Sequence, residues 1–392
     1  MAAEPGPPRQ SVGVEPRWID DAPGLAACID ALRDEPRYAL DTEFHGERTY
    51  WPKLALVQIA WPGGLVLIDP LAVDPAPLAE ILAGPGCMVA HASDQDLAIL
   101  ERACGCPPRT LFDTQIAAGF VGLGTPSLAS AVERFVGVRL AKGDRLTDWT
   151  KRPLSADQRA YAAADVEHLL ALHDALLGEL GQRDRVQWAL DECAERLQRV
   201  RSRPEPDTAW WRIKGSRQFR GKTRGVAQCV AAWRERTAER MDMPPRYVLS
   251  DLALAGIVQR PPRSRDELDS IRGIDGRFRG ANADALLDAV AAGLALEPAE
   301  LRIARTEHVD RSLAPAVTVI GAWLAQRAAE LELDPALLGT RAELAQLLQG
   351  EPSRIATGWR DELVGAPLQR LLHGDAVLAL KDGGRRIELR DR

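Results

Sequence analysis

The sequence contains no CxxC pair and no dense cysteine framework: its six cysteines, at 28, 87, 104, 106, 193 and 229, are scattered through 392 residues. Such spacing excludes a disulfide scaffold and fits a reducing compartment. Cys104 and Cys106 form the one close pair, and with no further ligand at metal spacing it reads as a loop. Long apolar runs are missing too; none approaches the ~18 residues needed to span a bilayer, so a membrane partner is not expected. The start, MAAEPGPPRQ, has prolines and an acid where a secretory leader needs a basic start and an apolar stretch. Residues 1–17 therefore read as a disordered tail on a cytoplasmic protein. Aromatic residues are scarce at 5% and the formal net charge is −6, so the totals do not announce a nucleic-acid binder. A local basic stripe can still bind phosphate on an acidic protein.

What is present is an ordinary globular composition, 46% hydrophobic and 27% charged, in a chain long enough for two or three domains. The first half alternates apolar strands with helical stretches. YALDTEF (38–44), LALVQIAW (54–61) and LVLID (65–69) read as strands, and helices follow around 75–83, 94–103 and 128–136. This order predicts a mixed α/β sheet flanked by helices, with Pro62-Gly63-Gly64 turning a hairpin. Ser155 and Gln158 match a capping box opening a long helix to about residue 178, and another helix covers 184–199. Residues 201–208 are charged and proline-containing, hence a linker after a domain at 18–200. Beyond them strand signals almost vanish and apolar residues recur at helical spacing. Two all-helical modules, 209–294 and 310–375, account for this, the second within a unit at 295–392 that ends in a hairpin around Asp382-Gly383-Gly384.

Three places carry candidate chemistry. Asp41 and Glu43 share one face of a strand by period-2 geometry, and their mutual repulsion is relieved either by a bound cation or by solvent on an exposed acidic face. Asp96 falls in the first turn of a helix, as an active-site carboxylate or as the partner of Ser93 in a cap. Tyr161 and Asp165, four residues apart, lie on one helical face, which also reads as a buried tyrosine beside a surface aspartate. Together, Asp41, Glu43, Asp96 and Asp165 can hold two divalent ions about 3.5–4 Å apart, one activating water and one stabilising a departing 3′ oxygen. Oxygen ligands without cysteine or histidine point to Mg²⁺ or Mn²⁺. Tyr161, with a reference pKa near 10, orients the water rather than deprotonating it.

At this point the sequence resembles the DEDD exonuclease superfamily, tyrosine subclass, and within it the RNase D family. Asp41-Thr42-Glu43-Phe44, the segment Tyr50 to Ile59, His91 with Asp96-Leu97, Asp113-Thr114-Gln115, Thr147-Asp148-Trp149 with Arg152-Pro153-Leu154, and Tyr161 to Val166 carry the resemblance. It implies metal binding by Asp41, Glu43, Asp96 and Asp165, water positioning by Tyr161, and an RNase H-like fold with a mixed five-stranded sheet. Pro244 to Asp251, Ser264 to Leu268 and Ile271 to Ile274 resemble the HRDC domain of the same proteins and of RecQ-type helicases. The region at 295–392 matches a second HRDC-like unit mainly by position and helix pattern.

Between 201 and 225 eight basic residues, including Arg217, Arg220, Lys222 and Arg224, are interleaved with Trp210, Trp211 and Phe219. Cations on phosphates and rings on bases are what single-strand binding uses, though a solvated linker with core tryptophans gives the same pattern. His91 reads as a local hydrogen-bonding residue. Asp113, Asp148 and Arg152 read as loop braces, with Lys142 or Arg152 alternatively touching substrate. The resulting expectation is a hydrolase that removes 5′-mononucleotides from RNA 3′ ends, the resemblance implying tRNA precursors as partners. A DNA exonuclease and an inactive nucleic-acid-binding scaffold are the competing readings.

Overall fold

The computed structural model describes residues 15–140, 147–201, 205–274, 281–303 and 311–392. These form two compact units. One takes the described residues up to His45, Leu54–Arg201 and the chain from 311 onward; the other takes Gly46–Lys53 and the described residues between 205 and 303.

In the first unit the order is β1 (Arg17–Ile19), α1 (Ala22–Leu32), β2 (Arg37–His45), β3 (Lys53–Trp61), β4 (Gly64–Ile68), α2 (Ala79–Leu82), β5 (Cys87–Ala90), α3 (Asp94–Cys104), β6 (Thr110–Asp113), α4 (Thr114–Gly119), α5 (Leu128–Phe135), α6 (Ala156–Glu167), α7 (Leu169–Gly181) and α8 (Val186–Arg201). The sheet has six strands in the order β1-β4-β3-β2-β5-β6, which corrects the five expected. The edge strand β1 is three residues long and therefore too short to show alternation; it pairs parallel with β4. Its first residue, Arg17, lies inside what the sequence suggested was tail, while residues 1–14 fall outside the described residues. β3 and β4 pair antiparallel, and β5 pairs parallel with both β2 and β6, so the sheet is mixed. Leu54 to Ala60 are all buried, as befits a strand covered on both faces. The hairpin at Pro62-Gly63-Gly64 closes with Trp61 paired to Gly64, where any side chain on Gly63 would strike the Trp61 indole.

Ser155 caps α6 with the reciprocal Gln158 bond, as the sequence indicated. The long helix breaks at His168, whose φ −105° and ψ −2° depart from regular helical values, and resumes as α7.

The second unit contains α9 (Lys222–Arg240), α10 (Pro245–Val248), α11 (Asp251–Gln259), α12 (Arg265–Asp269) and α13 (Ala281–Ala295) around Trp210, Val226, Val230, Leu254, Ile257, Leu286 and Val290. Gly225 on α9 faces Gly293 on α13 with no room for a Cβ on either, so the two helices meet backbone to backbone. Tyr50 is fastened to α9, its hydroxyl donating to Glu235 at 2.9 Å.

From residue 311 the chain returns to the first unit as α14 (Ala314–Glu330), α15 (Pro335–Leu338), α16 (Arg341–Leu348), α17 (Gly358–Arg360), a π-helical turn at Asp361–Gly365, α18 (Ala366–His373) and the antiparallel pair β7 (Ala376–Lys381) and β8 (Arg386–Asp391). These helices share the hydrophobic core of the sheet. Trp359 stacks on Trp188 of α8 at 5.1 Å and meets Phe120 edge-on at 5.2 Å. Glu192 of α8, 4% exposed, accepts from Arg354 at 2.6 Å and from Arg360. Arg185 donates to the carbonyls of Phe120 (2.7 Å) and Leu331 (2.6 Å).

Candidate active site

β2 presents Asp41 and Glu43 on one face because strand side chains alternate, and it buries Leu40 and Thr42 on the other. The helix α6 packs on β2 and β4 through Ala162 and Ala163, small enough to bring the helix close. That approach delivers Asp165 to the strand's acidic face. One carboxylate oxygen from each of Asp41, Glu43 and Asp165 lies within 4.8 Å of the other two. The structure thus brings together three of the four acids named from the sequence.

Electrostatics follow from the geometry. Burial, then the charges of Asp96, Asp165 and Glu43, hold the Asp41 carboxyl well above the usual carboxylate range. Burial and the neighbouring charges of Asp165 and Asp96 push Glu43 up to about 8. Burial raises Asp165 to about 7 against the opposing hydrogen bond from Tyr161. Burial likewise raises Asp96 to about 6, against hydrogen bonds that include the Thr42 hydroxyl. Like charges packed at this distance away from water favour either protonation or a cation. An all-oxygen donor set suits a hard divalent ion, so the residues present fit Mg²⁺ or Mn²⁺.

Asp96 stands apart from the group of three. It sits in the first turn of α3, 7% exposed, and accepts the Thr42 hydroxyl. It still acts on Asp41 through charge. The capping alternative does not hold: the Ser93 side chain makes no cap bond and donates to Asp113 at 2.8 Å.

Tyr161 hydrogen-bonds Asp165 one turn along the helix and stacks on Trp149 at 6.1 Å. The Trp149 segment is held by Arg152, which donates to the Trp149 carbonyl (2.8 Å), to both oxygens of Asp69 (2.6 and 2.7 Å) and to the Ala55 carbonyl (2.6 Å). Arg152 is a brace, its donors spent on protein rather than substrate. Lys142 lies outside the described residues. Asp113, fully buried, holds the loop before α3, and His91 bonds Thr114 (2.9 Å) and the Pro126 carbonyl (3.0 Å) locally. The sequence assigned no role to Thr42 or Asp69. For Asp69 a signal existed, a lone acid closing the apolar run LVLI; for Thr42 there was none, since its partner is 54 residues away.

In the second unit the expected nucleic-acid residues divide. Trp210 is fully buried, its indole N–H donating to the Arg302 carbonyl at 3.1 Å, so it is core and not a stacking platform. Its neighbour Trp211 is 38% exposed. Arg220 and Lys222 are exposed at the start of α9, and Arg224 is half-buried with its Nε–H on the Phe219 carbonyl at 2.9 Å. Arg217 sits in the short turn Ser216–Gln218, and its side chain lies outside the described residues.

Comparison with known proteins bears on both units. The family described as 3′-5′ exonuclease matches residues 16–181, and the HRDC domain family matches residues 224–290. The chain is 37% identical over 377 residues to ribonuclease D of Gluconacetobacter diazotrophicus, covering 94% of this chain and 93% of that protein. Ribonuclease D of Acidiphilium cryptum is 35% identical over 388 residues, with 96% and 97% covered. Among solved structures, Escherichia coli RNase D, an exoribonuclease involved in structured RNA processing, matches with a TM-score of 0.83 at 31% identity, covering 92% of this chain and 99% of that one.

Proposed function

The chain belongs to the ribonuclease D family, and from that premise we propose that it removes 5′-mononucleotides hydrolytically, one at a time, from the 3′ ends of tRNA precursors and other structured RNAs. The observation that carries this reading is the group formed by Asp41, Glu43 and Asp165, whose oxygens lie within 4.8 Å of one another beside Tyr161.

In this reading Asp41, Glu43 and Asp165, together with Asp96, would hold the divalent ions. When bound, the ions supply a lowered pKa for the attacking water and charge compensation for the departing 3′ oxygen. The chain's own groups do the rest. Asp165 accepts the Tyr161 hydroxyl proton, leaving the phenolic oxygen's lone pairs to accept from the attacking water and fix its line of approach. Trp149 limits the ring's movement by stacking, and Arg152 limits Trp149. Strand and helix set the carboxylates before substrate arrives, so little reorganisation accompanies reaction. In the second unit Arg220 and Lys222 contact phosphates of the RNA. Free thiols at all six cysteines suit work in the cytoplasm.

The test uses 5′-labelled tRNA with a 3′ tail, and matched single-stranded DNA, incubated with the chain or its Asp41→Ala variant in Mg²⁺, Mn²⁺ or EDTA. A stepwise ladder on RNA that needs both metal and Asp41 is expected, with DNA degraded more slowly. A ladder unaffected by EDTA or by Asp41→Ala would overturn the site; absence of any ladder would overturn the activity.

A further inference from the structure

Thr42 lies between two of the acidic residues on β2 and, by strand alternation, points to the opposite face, where it is 5% exposed. A buried hydroxyl needs a partner, and this one donates to the carboxylate of Asp96. The backbone N–H of Thr42 reaches the same carboxylate. One residue of the strand thus grips an acid that arrives on a separate helix.

The backbone of that helix is placed by other means. Ala92 adopts a left-handed φ of 58°, and the Asp113 carboxylate takes the N–H groups of Ala92 (3.1 Å) and Ser93 (2.9 Å) and the Ser93 hydroxyl (2.8 Å), with Arg196 on the same group at 3.3 Å. These bonds fix where α3 begins. They leave the Asp96 carboxylate to other donors: its own backbone N–H, and, from a separate element, the hydroxyl and N–H of Thr42. Asp96 lies outside the group formed by Asp41, Glu43 and Asp165, and its charge acts on Asp41.

We propose that Thr42 is a positioning residue whose buried hydroxyl holds the Asp96 carboxylate at the edge of the three-carboxylate group, where Asp96 serves the second of two divalent ions. The inference rests on the reading of Asp96 as a metal-holding carboxylate and adds the residue that aims it. Groups that orient a metal-holding side chain change metal affinity by roughly 10- to 100-fold when removed. Valine keeps the shape of threonine and lacks the hydroxyl; serine keeps the hydroxyl and lacks the methyl.

The experiment titrates the full-length chain with Mn²⁺ and counts free ion by electron paramagnetic resonance, so that the readout is binding and not activity. The original chain is expected to hold two ions. Thr42→Val is expected to keep one and weaken the other about tenfold, Asp96→Asn to weaken the same one, and Thr42→Ser to stay near the original. Should Thr42→Val fail to melt cooperatively, Thr42→Ala makes the same comparison. If Asp96→Asn weakens an ion and Thr42→Val does not, or if Thr42→Ser is as weak as Thr42→Val, the positioning role is overturned while the site stands. If Asp96→Asn changes nothing, or the original chain holds a single ion, the assignment of Asp96 itself fails.

Discussion

Replacing Asp165 with asparagine is expected to stabilise the metal-free protein at alkaline pH while abolishing its activity. Burial raises this carboxyl from an ordinary value of 3.8 to about 7. A group whose pKa is higher folded than unfolded contributes stability that is complete below the unfolded value and lost as pH rises through the folded one. For Asp165 the window therefore runs from about pH 4 to pH 7. A shift of about three pH units corresponds to roughly 4 kcal/mol at most, each unit being about 1.4 kcal/mol. Asparagine cannot ionise and keeps an oxygen for the Tyr161 hydroxyl. In EDTA at pH 8 the variant should exceed the original by roughly 2–4 kcal/mol, and near pH 4 the two should agree. Mg²⁺ should reverse the order at pH 8, since the original gains by binding and the variant lacks a ligand. Thermal unfolding at pH 4.5 and pH 8, each with EDTA or Mg²⁺, measures all four cases. A variant no more stable than the original in EDTA at pH 8 would refute the claim that the cluster is electrostatically frustrated without metal.

Tyr161→Phe removes the hydroxyl while keeping the ring on Trp149; kcat is expected to fall about 100-fold with KM little changed, measured on 3′-tailed RNA at saturating Mg²⁺. Glu192→Ala strips the shared buried partner from Arg354 and Arg360, leaving Arg360 only the longer pair with Glu195 at 4.0 Å while Arg354 keeps Glu195 and Glu343, and should cost about 1–3 kcal/mol in denaturant unfolding. An unchanged unfolding midpoint would mean that the C-terminal helices are not held through this group. Reversing charge at Arg220 and Lys222 should weaken RNA binding and reduce the slope of log affinity against log salt by about two, one for each phosphate that no longer meets a cation; an unchanged slope rules these residues out as phosphate binders.

The parts of the molecule legible in its sequence are those set by local periodicity. β2 alternates over enough residues to put Asp41 and Glu43 on one face, and the four-residue spacing of Tyr161 and Asp165 aligns them along α6. Ser155 and Gln158 announce their helix start because both partners are three residues apart. What was not legible depends on distant partners. A tryptophan in a basic stretch can be platform or core, and Trp210 is decided by a carbonyl 92 residues away. Helical spacing after residue 310 marks an apolar face without saying what it covers; the face closes on α4, α8 and the core of the sheet, through residues such as Phe120 and Trp188. β1 has three residues and borrows its strand character from β4.

The treatment of buried acids separates structure from chemistry within this one chain. Asp69 faces Arg152, Asp113 faces Arg196, and Glu192 faces both Arg354 and Arg360. Each is an acid with little or no exposure whose charge the fold answers with a guanidinium. The four carboxyls of the candidate active site are handled otherwise. The largest influences on them are burial, one another, the charge of Asp113 on Asp96, and hydroxyl or amide donors, with no arginine or lysine from the described residues among them. Among the described residues, a fold able to supply arginines elsewhere leaves this charge unanswered, at a cost in stability that a neutral core would avoid. The unanswered charge is what a divalent cation would neutralise, which predicts that Mg²⁺ raises the melting temperature at pH 8 far more than at pH 5, where these carboxyls are largely protonated. Placing an arginine in the site, as in Ala162→Arg beside Tyr161, would crowd α6 against the sheet. Glu43→Gln is the gentler probe: it removes one charge at constant shape, and the Mg²⁺-dependent rise in melting temperature should shrink with it. A rise of equal size at both pH values, or one untouched by Glu43→Gln, would place the stabilising ion somewhere other than this cluster.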